Sequence, residues 1–259
     1  DLGAFSTVIW HGNDFTDMNA PYDYKEELIK YLNFGGNFLY TGYRPSKAFE
    51  KVVGQNGTFN SGDFIFDYLK IQETKGTIFA LFNEAKMITS GYNNIFVDSM
   101  KTLSSDDYHL KNIEMIKSSI DGTEIFSYGT NYDSTSQQGY LKGKPVGVEY
   151  IGNDYKTITL SFPLYYMNNE QSKSLLEYIL TNKFNEVMPV DDQISQIPTK
   201  YELYQNFPNP FNPSTTIKYS IPEDGFVKLA VYNMLGEEVS RLVSKVQKAG
   251  KYEVNFNAS

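Results

Sequence analysis

Residues 6–12 read Ser-Thr-Val-Ile-Trp-His-Gly, and residues 35–42 read Gly-Gly-Asn-Phe-Leu-Tyr-Thr-Gly. Both stretches hold a short apolar run that ends in a turn, a pattern typical of buried strands. Residues 24–34 lie between them and carry apolar side chains at helical spacing, and the Gly-Gly pair ends that helix. Strand, helix and strand in this order predict a parallel β–α–β unit.

Further elements extend this unit to about residue 184. An amphipathic helix is predicted at 169–184, and residues 152–154 read Gly-Asn-Asp, a hairpin turn between two strands. Other predicted strands cover 76–82, 112–115, 123–128, 145–151 and 156–162, and short helices cover 46–53 and 64–69. This order of elements indicates an α/β domain over 1–184, with a parallel sheet in a flavodoxin-like, three-layer arrangement.

A linker and a second domain follow the first. Residues 185–200 contain Pro189 and Pro198 and lack clean periodicity, so we predict a linker between the domains there. In residues 201–259, apolar and polar side chains alternate along several short runs. That alternation predicts a small all-β domain.

The composition excludes several classes of protein. The chain has 259 residues, a net charge of −8, no Cys and two His. Without Cys there is no disulfide, no thiol nucleophile and no Cys-ligated metal. Only Arg44 and Arg241 are arginines and no basic patch is present, so we expect no nucleic-acid partner. No apolar run of about 18 residues occurs, so no transmembrane segment is predicted.

Carboxylate-rich turns leave Ca²⁺ as the one cation to consider. The pairs Asn153-Asp154 and Asp191-Asp192 supply oxygen ligands, but they lack the spacing of an EF-hand. Solvated turns explain these residues better. We therefore predict no metal site and no cofactor.

A long and unusual segment begins the second domain. It reads Gln205-Asn206-Phe207-Pro208-Asn209-Pro210-Phe211-Asn212-Pro213. Its prolines fix φ and remove backbone donors, which predicts an extended, kinked lead-in to the next strand. Its asparagines are expected to bond nearby backbone groups and hold turns. Farther on, Gly236 is predicted to turn the chain and Gly250 to open the last strand.

With this motif, residues 201–259 resemble the type A sorting domains of the type IX secretion system of Bacteroidetes and the Ig-like domain of the flagellar hook-capping protein. The resemblance implies an Ig-like β-sandwich, the secretion machinery at the outer membrane as a partner, and a secreted or surface-attached bacterial protein. Family members continue beyond the point where this chain stops, so we expect a truncated sandwich. The chain also opens with Asp-Leu-Gly rather than Met, and we expect a fragment of a longer precursor.

The first domain carries a second resemblance. Residues 7–13, 31–42 and 158–165 are similar to the class I glutamine-amidotransferase-like fold, in the degenerate form of ThuA-like domains of secreted bacterial proteins. The resemblance implies an accessory domain that contacts upstream domains of the same precursor. Amidotransferase chemistry needs a nucleophilic Cys, which the chain lacks, and no Gly-x-Ser-x-Gly elbow replaces it.

No residue is assigned as catalytic, but three candidates stand near the ends of the first two strands. His11 and Asp14 follow the first strand, and Thr41 ends the second. These are the carboxyl ends of strands, where α/β sheets bind ligands. A His or Thr in such a place more often caps a turn, and that alternative stays open.

Tyrosine pairs offer another kind of site. Tyr165-Tyr166 and Tyr40/Tyr43 are candidates for a sugar-stacking surface, although packing in the core and at its rim is the commoner fate of tyrosines. His109, beside two aspartates, is predicted to lie in a surface loop.

Three functional hypotheses follow. The first is a non-catalytic accessory domain joined to a sorting domain. The second is a hydrolase or glycan-processing enzyme with a site near His11, Asp14 and Thr41. The third is an adhesive module that binds a glycan or a protein through exposed tyrosines. A deep pocket of convergent polar groups around His11 and Asp14 would favour the enzyme, whereas an open surface would favour the accessory role.

Overall fold

The computed structural model describes residues 2–12, 20–103, 106–187, 200–233 and 235–258. The chain divides into two compact units, residues 1–188 and 189–259. Each unit is described by itself.

The first unit is built on strands that form two sheets. In chain order these are β1 (Thr7–Gly12), β2 (Asn37–Gly42), β3 (Asn56–Thr58), β4 (Ile71–Lys75), β5 (Glu84–Met87), β6 (Ile95–Phe96), β7 (Met115–Ser118), β8 (Thr123–Gly129), β9 (Pro145–Ile151) and β10 (Lys156–Leu160). Seven of them form one mixed sheet in the order β1-β2-β10-β9-β8-β5-β6, and β3, β4 and β7 form the other.

Helices are short in this unit. They are α1 (Ala20–Asp23), α2 (Lys25–Asn33), α3 (Pro45–Glu50), α4 (Phe64–Asp67) and α5 (Asn169–Tyr178). The predicted helix at 169–184 is α-helical only to Tyr178 and continues as a π-helix over Ile179–Lys183. The strand predicted at 76–82 is wrong, because the only pairing in that stretch is a single bridge between Phe82 and Leu110.

The predicted β–α–β unit is confirmed. β1 and β2 pair in parallel, with Thr7 opposite Asn37 and Gly12 opposite Gly42. Between them, α2 buries Leu28 and Leu32 completely against the sheet's core. Since side chains alternate along β2, Phe38 and Tyr40 join one hydrophobic cluster and Leu39 joins the other.

The expectation of a flavodoxin-like, three-layer α/β fold is wrong. β10 pairs with β2 in parallel, but β9, β8, β5 and β6 continue the sheet by antiparallel pairing. Strand accounts for 38% of the structure and helix for 20%, so the protein is mostly β. The cause is connection length: the short turn at 152–155 joins β9 to β10, and a connection so short permits only antiparallel neighbours.

The second unit consists of antiparallel strands. They are β11 (Glu202–Leu203), β12 (Ser214–Ile221), β13 (Gly225–Tyr232), β14 (Glu238–Gln247) and β15 (Gly250–Asn257). β11, β12 and β15 form one small sheet, and β13 and β14 form a two-stranded one. The Ig-like sandwich expected from the sequence is corrected to these two small sheets, whose buried hydrophobic core consists, among the described residues, of Tyr219, Ile221 and Val243.

Candidate functional site

The carboxyl ends of the parallel strands β1, β2 and β10 meet at one edge of the large sheet. Thr41 lies opposite His11 of β1 on one side and Leu160 of β10 on the other. Two of the three candidate residues, His11 and Thr41, are therefore neighbours in space. The third, Asp14, lies outside the described residues.

Thr41 fastens the chain that leaves β10. Its side chain is 1% exposed. Its hydroxyl donates to the carbonyl oxygen of Phe162 at 2.8 Å and accepts from the backbone N–H of Leu164 at 3.1 Å. Both hydrogen-bonding functions of the hydroxyl are thus directed at the backbone.

His11 supports the same segment from β1. Its Nε2 accepts a hydrogen bond from the backbone N–H of Tyr165 at 3.3 Å. Partial burial lowers the pKa of the imidazole, because desolvation disfavours the charged form. The neutral ring keeps the lone pair that this hydrogen bond requires.

A tight turn thereby presents two tyrosines at this edge. The 3₁₀ turn Leu164–Tyr166 carries Tyr165, which is 54% exposed, and Tyr166. Their rings are perpendicular with centroids 5.0 Å apart. Tyr166 also contacts Tyr43, at 6.3 Å between ring centroids. The three rings form a row of successive contacts. The sugar-stacking surface expected of Tyr165-Tyr166 and Tyr40/Tyr43 stays a prediction.

Tyr40 does not belong to this row. Its side chain is 2% exposed, and its hydroxyl donates to the carbonyl oxygen of Tyr43 at 2.8 Å. Tyr40 therefore holds the backbone that bears Tyr43 rather than presenting a surface of its own.

Two rings of this row, Tyr43 and Tyr166, line a cleft of 470 Å³, called the tyrosine cleft below. It is lined by Tyr43, Lys101, Thr102, Leu103, Asp106, His109, Leu110, Lys111, Asn112 and Tyr166. The lining combines aromatic and aliphatic walls with amide, hydroxyl and charged groups. This mixture is typical of small-molecule sites, whose volumes run from about 300 to 1,000 Å³.

Lys101 ties one wall of the tyrosine cleft to the tyrosine turn. Its Nζ donates to the carbonyl oxygens of Tyr165 and Met167, each at 2.9 Å, and to Oδ1 of Asn169 at 2.6 Å. These three acceptors match the three donors of an ammonium group. Its Nζ also lies 5.6 Å from the centroid of the Tyr165 ring.

His109 is buried in the cleft wall, with 7% of its surface exposed, so the predicted surface position is wrong. Its Nδ1 contacts the carbonyl oxygen of Asp107, and its ring lies 5.7 Å from that of Tyr132. A carbonyl accepts, so Nδ1 carries the proton there. Nε2 is buried and finds no hydrogen-bond partner among the described residues.

A buried carboxyl group holds the segment that follows Tyr43 through hydrogen bonds. Glu114 is completely buried and accepts from the backbone N–H of Ser46 at 3.1 Å and from its hydroxyl at 2.6 Å. Arg44 Nε lies 3.8 Å from the same carboxyl. Burial raises the pKa of Glu114, while Ser46 and Arg44 act in the opposite direction. The carbonyl oxygen of Glu114 also accepts from Ser161 at 2.6 Å.

Sequence reasoning missed Lys101 and Glu114. Neither stands in a motif, and the acceptors of Lys101 and the Ser46 donors to Glu114 are 64 to 68 residues away along the chain. Contacts at that separation leave no local pattern.

Metal ligation and membrane spanning find no support in the described parts of the chain. No group of three or more His, Cys, Asp or Glu side chains is placed to hold a metal ion there. No helix within those ranges is long and apolar enough to cross a membrane.

The motif of the second unit shapes a loop before β12. Asn206 Nδ2 donates to Thr215 Oγ1 at 3.0 Å, and Thr215 Oγ1 donates to the carbonyl oxygen of Pro208 at 2.9 Å. Phe211 packs on Phe256 of β15. These contacts are local, and they agree with an extended lead-in held by an asparagine.

The remaining motif residues follow the same loop. Gln205, Asn209, Pro210, Asn212 and Pro213 complete it between β11 and β12. Gly236 turns the chain between β13 and β14 with a φ of +83°, a region in which only glycine is unstrained. Gly250 opens β15.

Comparison with known proteins gives matches only among solved structures. No known protein family and no curated protein matches the chain. The β-galactosidase of Rahnella sp. R3 is 12% identical, with a TM-score of 0.46 over 99% of this chain and 33% of that one. The β-galactosidase of Bacillus circulans sp. alkalophilus is 12% identical, with a TM-score of 0.47 over 98% and 33%.

A third match is the mmIFT52 N-terminal domain. It is 8% identical, with a TM-score of 0.41 over 73% of this chain and 81% of that one. The chain spans about a third of the length of the β-galactosidases it matches.

These findings correct both resemblances drawn from the sequence. No sorting-domain or ThuA-like family matches the chain, and the solved structures named above, all at TM-scores below 0.5, are β-galactosidases and the mmIFT52 N-terminal domain. The assignment of residues 201–259 as a type IX sorting domain is therefore withdrawn, while the secretion machinery as a partner and the secreted or surface-attached location stay untested predictions. The Pro/Asn motif misled because residues that shape a turn before a strand occur for local reasons in unrelated β proteins.

Proposed function

We propose that the first unit is a glycan-binding domain that holds uncharged oligosaccharides in the tyrosine cleft. The observation that carries the proposal is the aromatic wall that Tyr43 and Tyr166 give the cleft, with the exposed ring of Tyr165 packed against Tyr166 beside it. A pyranose ring has an apolar face that packs on an aromatic ring, while a tyrosine hydroxyl remains available for hydrogen bonds.

The charges around the cleft favour a neutral ligand. The ammonium group of Lys101 is surrounded by three oxygen acceptors, and Lys111 is paired with Asp106. Each cation therefore already has partners. A uronate or other acidic sugar would have to compete for them.

Binding is better supported than hydrolysis. Glycoside hydrolysis uses two carboxyl groups that flank the scissile bond. Among the described residues that line the cleft, Asp106 is the only carboxylate, and it is paired with Lys111. His11 and Thr41 direct their polar atoms to the backbone of the tyrosine turn, so both act as positioning residues for Tyr165 and Tyr166.

The test is titration of the full chain with cellotetraose, β-1,4-galactotetraose and tri-galacturonic acid, followed by calorimetry and by amide chemical shifts. We expect at least one neutral tetrasaccharide to bind and the acidic sugar not to. Tyr165→Ala removes the exposed ring that packs against Tyr166 beside the cleft, and it should weaken binding roughly two- to tenfold, since an aromatic contact contributes about 0.5–1.5 kcal/mol.

A matched control removes an equally exposed tyrosine from the second unit. Tyr232 is 53% exposed, against 54% for Tyr165. The Tyr232→Ala variant should therefore bind the sugars as tightly as the unsubstituted chain does. The proposal fails if no neutral sugar binds at millimolar concentration, or if the two alanine variants bind equally well.

A further inference from the structure

An apolar groove of 740 Å³ lies beside β1, the strand at the edge of the large sheet. It is lined by Leu2, Gly3, Trp10, Tyr24, Glu27, Lys30, Tyr31 and Phe34. Phe34 is 91% exposed and Tyr24 is 56% exposed. Trp10 lies against Tyr24, with ring centroids 5.9 Å apart. Contiguous exposed apolar surface of this kind marks an interaction site.

The strand beside the groove is an open sheet edge. β1 ends the order of the large sheet, and within the described residues it pairs with β2 alone. Its sequence, Thr-Val-Ile-Trp-His-Gly, contains no Lys, Glu, Asp or Pro. Protein edges are usually blunted by such residues, because an unblunted edge is a template for pairing with another strand.

We propose that a second copy of this chain adds its β1 antiparallel to this β1, about a two-fold axis at Ile9, so that the two grooves lie side by side on one face of the joined sheet. A two-fold axis normal to the sheet places Ile9 opposite Ile9 and Val8 opposite Trp10. Ile9 is 45% exposed, so the pairing removes this apolar side chain from water.

Charge at the groove rim supports a second copy rather than an unrelated partner. Glu27 and Lys30 both line the groove and stand three residues apart on α2. A two-fold axis brings this same rim, which carries both signs of charge, together from the two copies, so that an acidic group of one copy can meet a basic group of the other. The surface is thus complementary to itself, and the uncharged β1 adds no like-charge repulsion.

Sedimentation of the full chain between 1 and 200 µM tests the pairing. We expect a monomer–dimer equilibrium, and Ile9→Lys should weaken the dimer at least tenfold because it sets two ammonium groups face to face. Ile120, which is 98% exposed and distant from β1 in the sequence, gives the matched control: Ile120→Lys should dimerise normally. The emission of Trp10, the only tryptophan, should shift to shorter wavelength as the dimer forms.

A crosslink gives a second test that does not depend on a charge in the strand. The chain has no Cys, so Ile9→Cys introduces one thiol per copy. Copper–phenanthroline, which takes up the two electrons released by the thiols, should link the copies, since opposite residues of antiparallel strands lie within disulfide range. Ile120→Cys should link far more slowly. A monomer at 200 µM, a dimer that survives Ile9→Lys, or equal crosslinking at both positions would each overturn the proposal.

Discussion

Phe38, Phe126 and Phe162 of the first unit are completely buried, whereas the best-buried hydrophobic residues of the second unit's core, Ile221 and Tyr219, keep 4% and 6% of their surface exposed. The first unit's sheet carries large clusters, and the second unit's two small sheets share a core of a few side chains. Stability in the second unit therefore rests more on strand pairing and surface charge. A cleft keeps its shape only if its walls are rigid, and a densely packed core behind the walls makes them rigid.

The largest effect is expected where the first unit is most densely packed. Phe162 stacks on Phe82 at 5.5 Å and meets Phe126 edge-on at 6.0 Å. Phe162→Ala should lower the free energy of unfolding by about 3–5 kcal/mol, because it opens a cavity that cannot collapse. Urea titration followed by the fluorescence of Trp10 reports this unit; a loss below about 1 kcal/mol would show a loose core.

The buried carboxyl group comes next. Glu114→Ala should cost about 3 kcal/mol, since it leaves both donors of Ser46 buried without their acceptor and the buried Arg44 without its ion-pair partner. Glu114→Gln keeps the shape and one oxygen acceptor, and it should cost less than half as much. The same urea titration measures both variants, and equal losses would mean that shape rather than the acceptor matters.

A core truncation in the second unit is expected to matter less. Val243→Ala removes two methyl groups from a side chain that is 9% exposed, and about 1–2 kcal/mol should be lost. Amide hydrogen exchange along β12 and β15 measures it, since Trp10 lies in the other unit. A loss as large as that of Phe162→Ala would erase the contrast between the two cores.

The smallest expected effects are on the pH dependence of the free energy of unfolding, which has opposite signs for one carboxyl group in each unit. Burial raises the pKa of Glu114, so the stability linked to it is complete at low pH and declines as pH rises through the folded-state pKa. Hydrogen bonds from Arg241 and Lys228 lower the pKa of Glu238 to about 2, so its contribution is complete above the ordinary value of 4.5 and is lost as pH falls toward 2.

Unfolding measured from pH 2 to 7 in low and high salt separates the two groups. Salt of 1 M should flatten the dependence that belongs to the solvent-exposed Glu238 and leave that of Glu114 in place. Glu114→Gln and Glu238→Gln should each abolish one of the two slopes of the free energy of unfolding against pH. Two slopes of the same sign would contradict the assignment.

Short sequence patterns predicted the structural features that residues close together in the chain form. The apolar runs of β1 and β2 and the Gly-Gly stop between them were sufficient for the β–α–β unit, and the Gly-Asn-Asp turn was sufficient for the β9–β10 hairpin. Sheet order was not predictable, because a strand buried on both faces has the same apolar sequence in parallel and antiparallel sheets.

The candidate site was predictable to a similar extent. The position of His11 and Thr41 at the carboxyl ends of neighbouring strands followed from the β–α–β unit. Tyr165 and Tyr166 were named separately, as a tyrosine pair that is a candidate for sugar stacking. Lys101 was not predictable, since its acceptors come from a segment more than sixty residues away. His109 was misjudged because polar neighbours in the sequence say little about burial in space.

The three acceptors around the ammonium group of Lys101 also bear on the kinetics of ligand capture. Hydrogen bonds within the protein hold the wall that it fastens and the turn supported by Thr41 and His11. For the glycan binding proposed above, a preformed wall favours fast association, and the affinity is then set by how fast the ligand leaves. Weak binding with rapid exchange would then let the domain release and recapture a polysaccharide repeatedly, and so move along it without losing it.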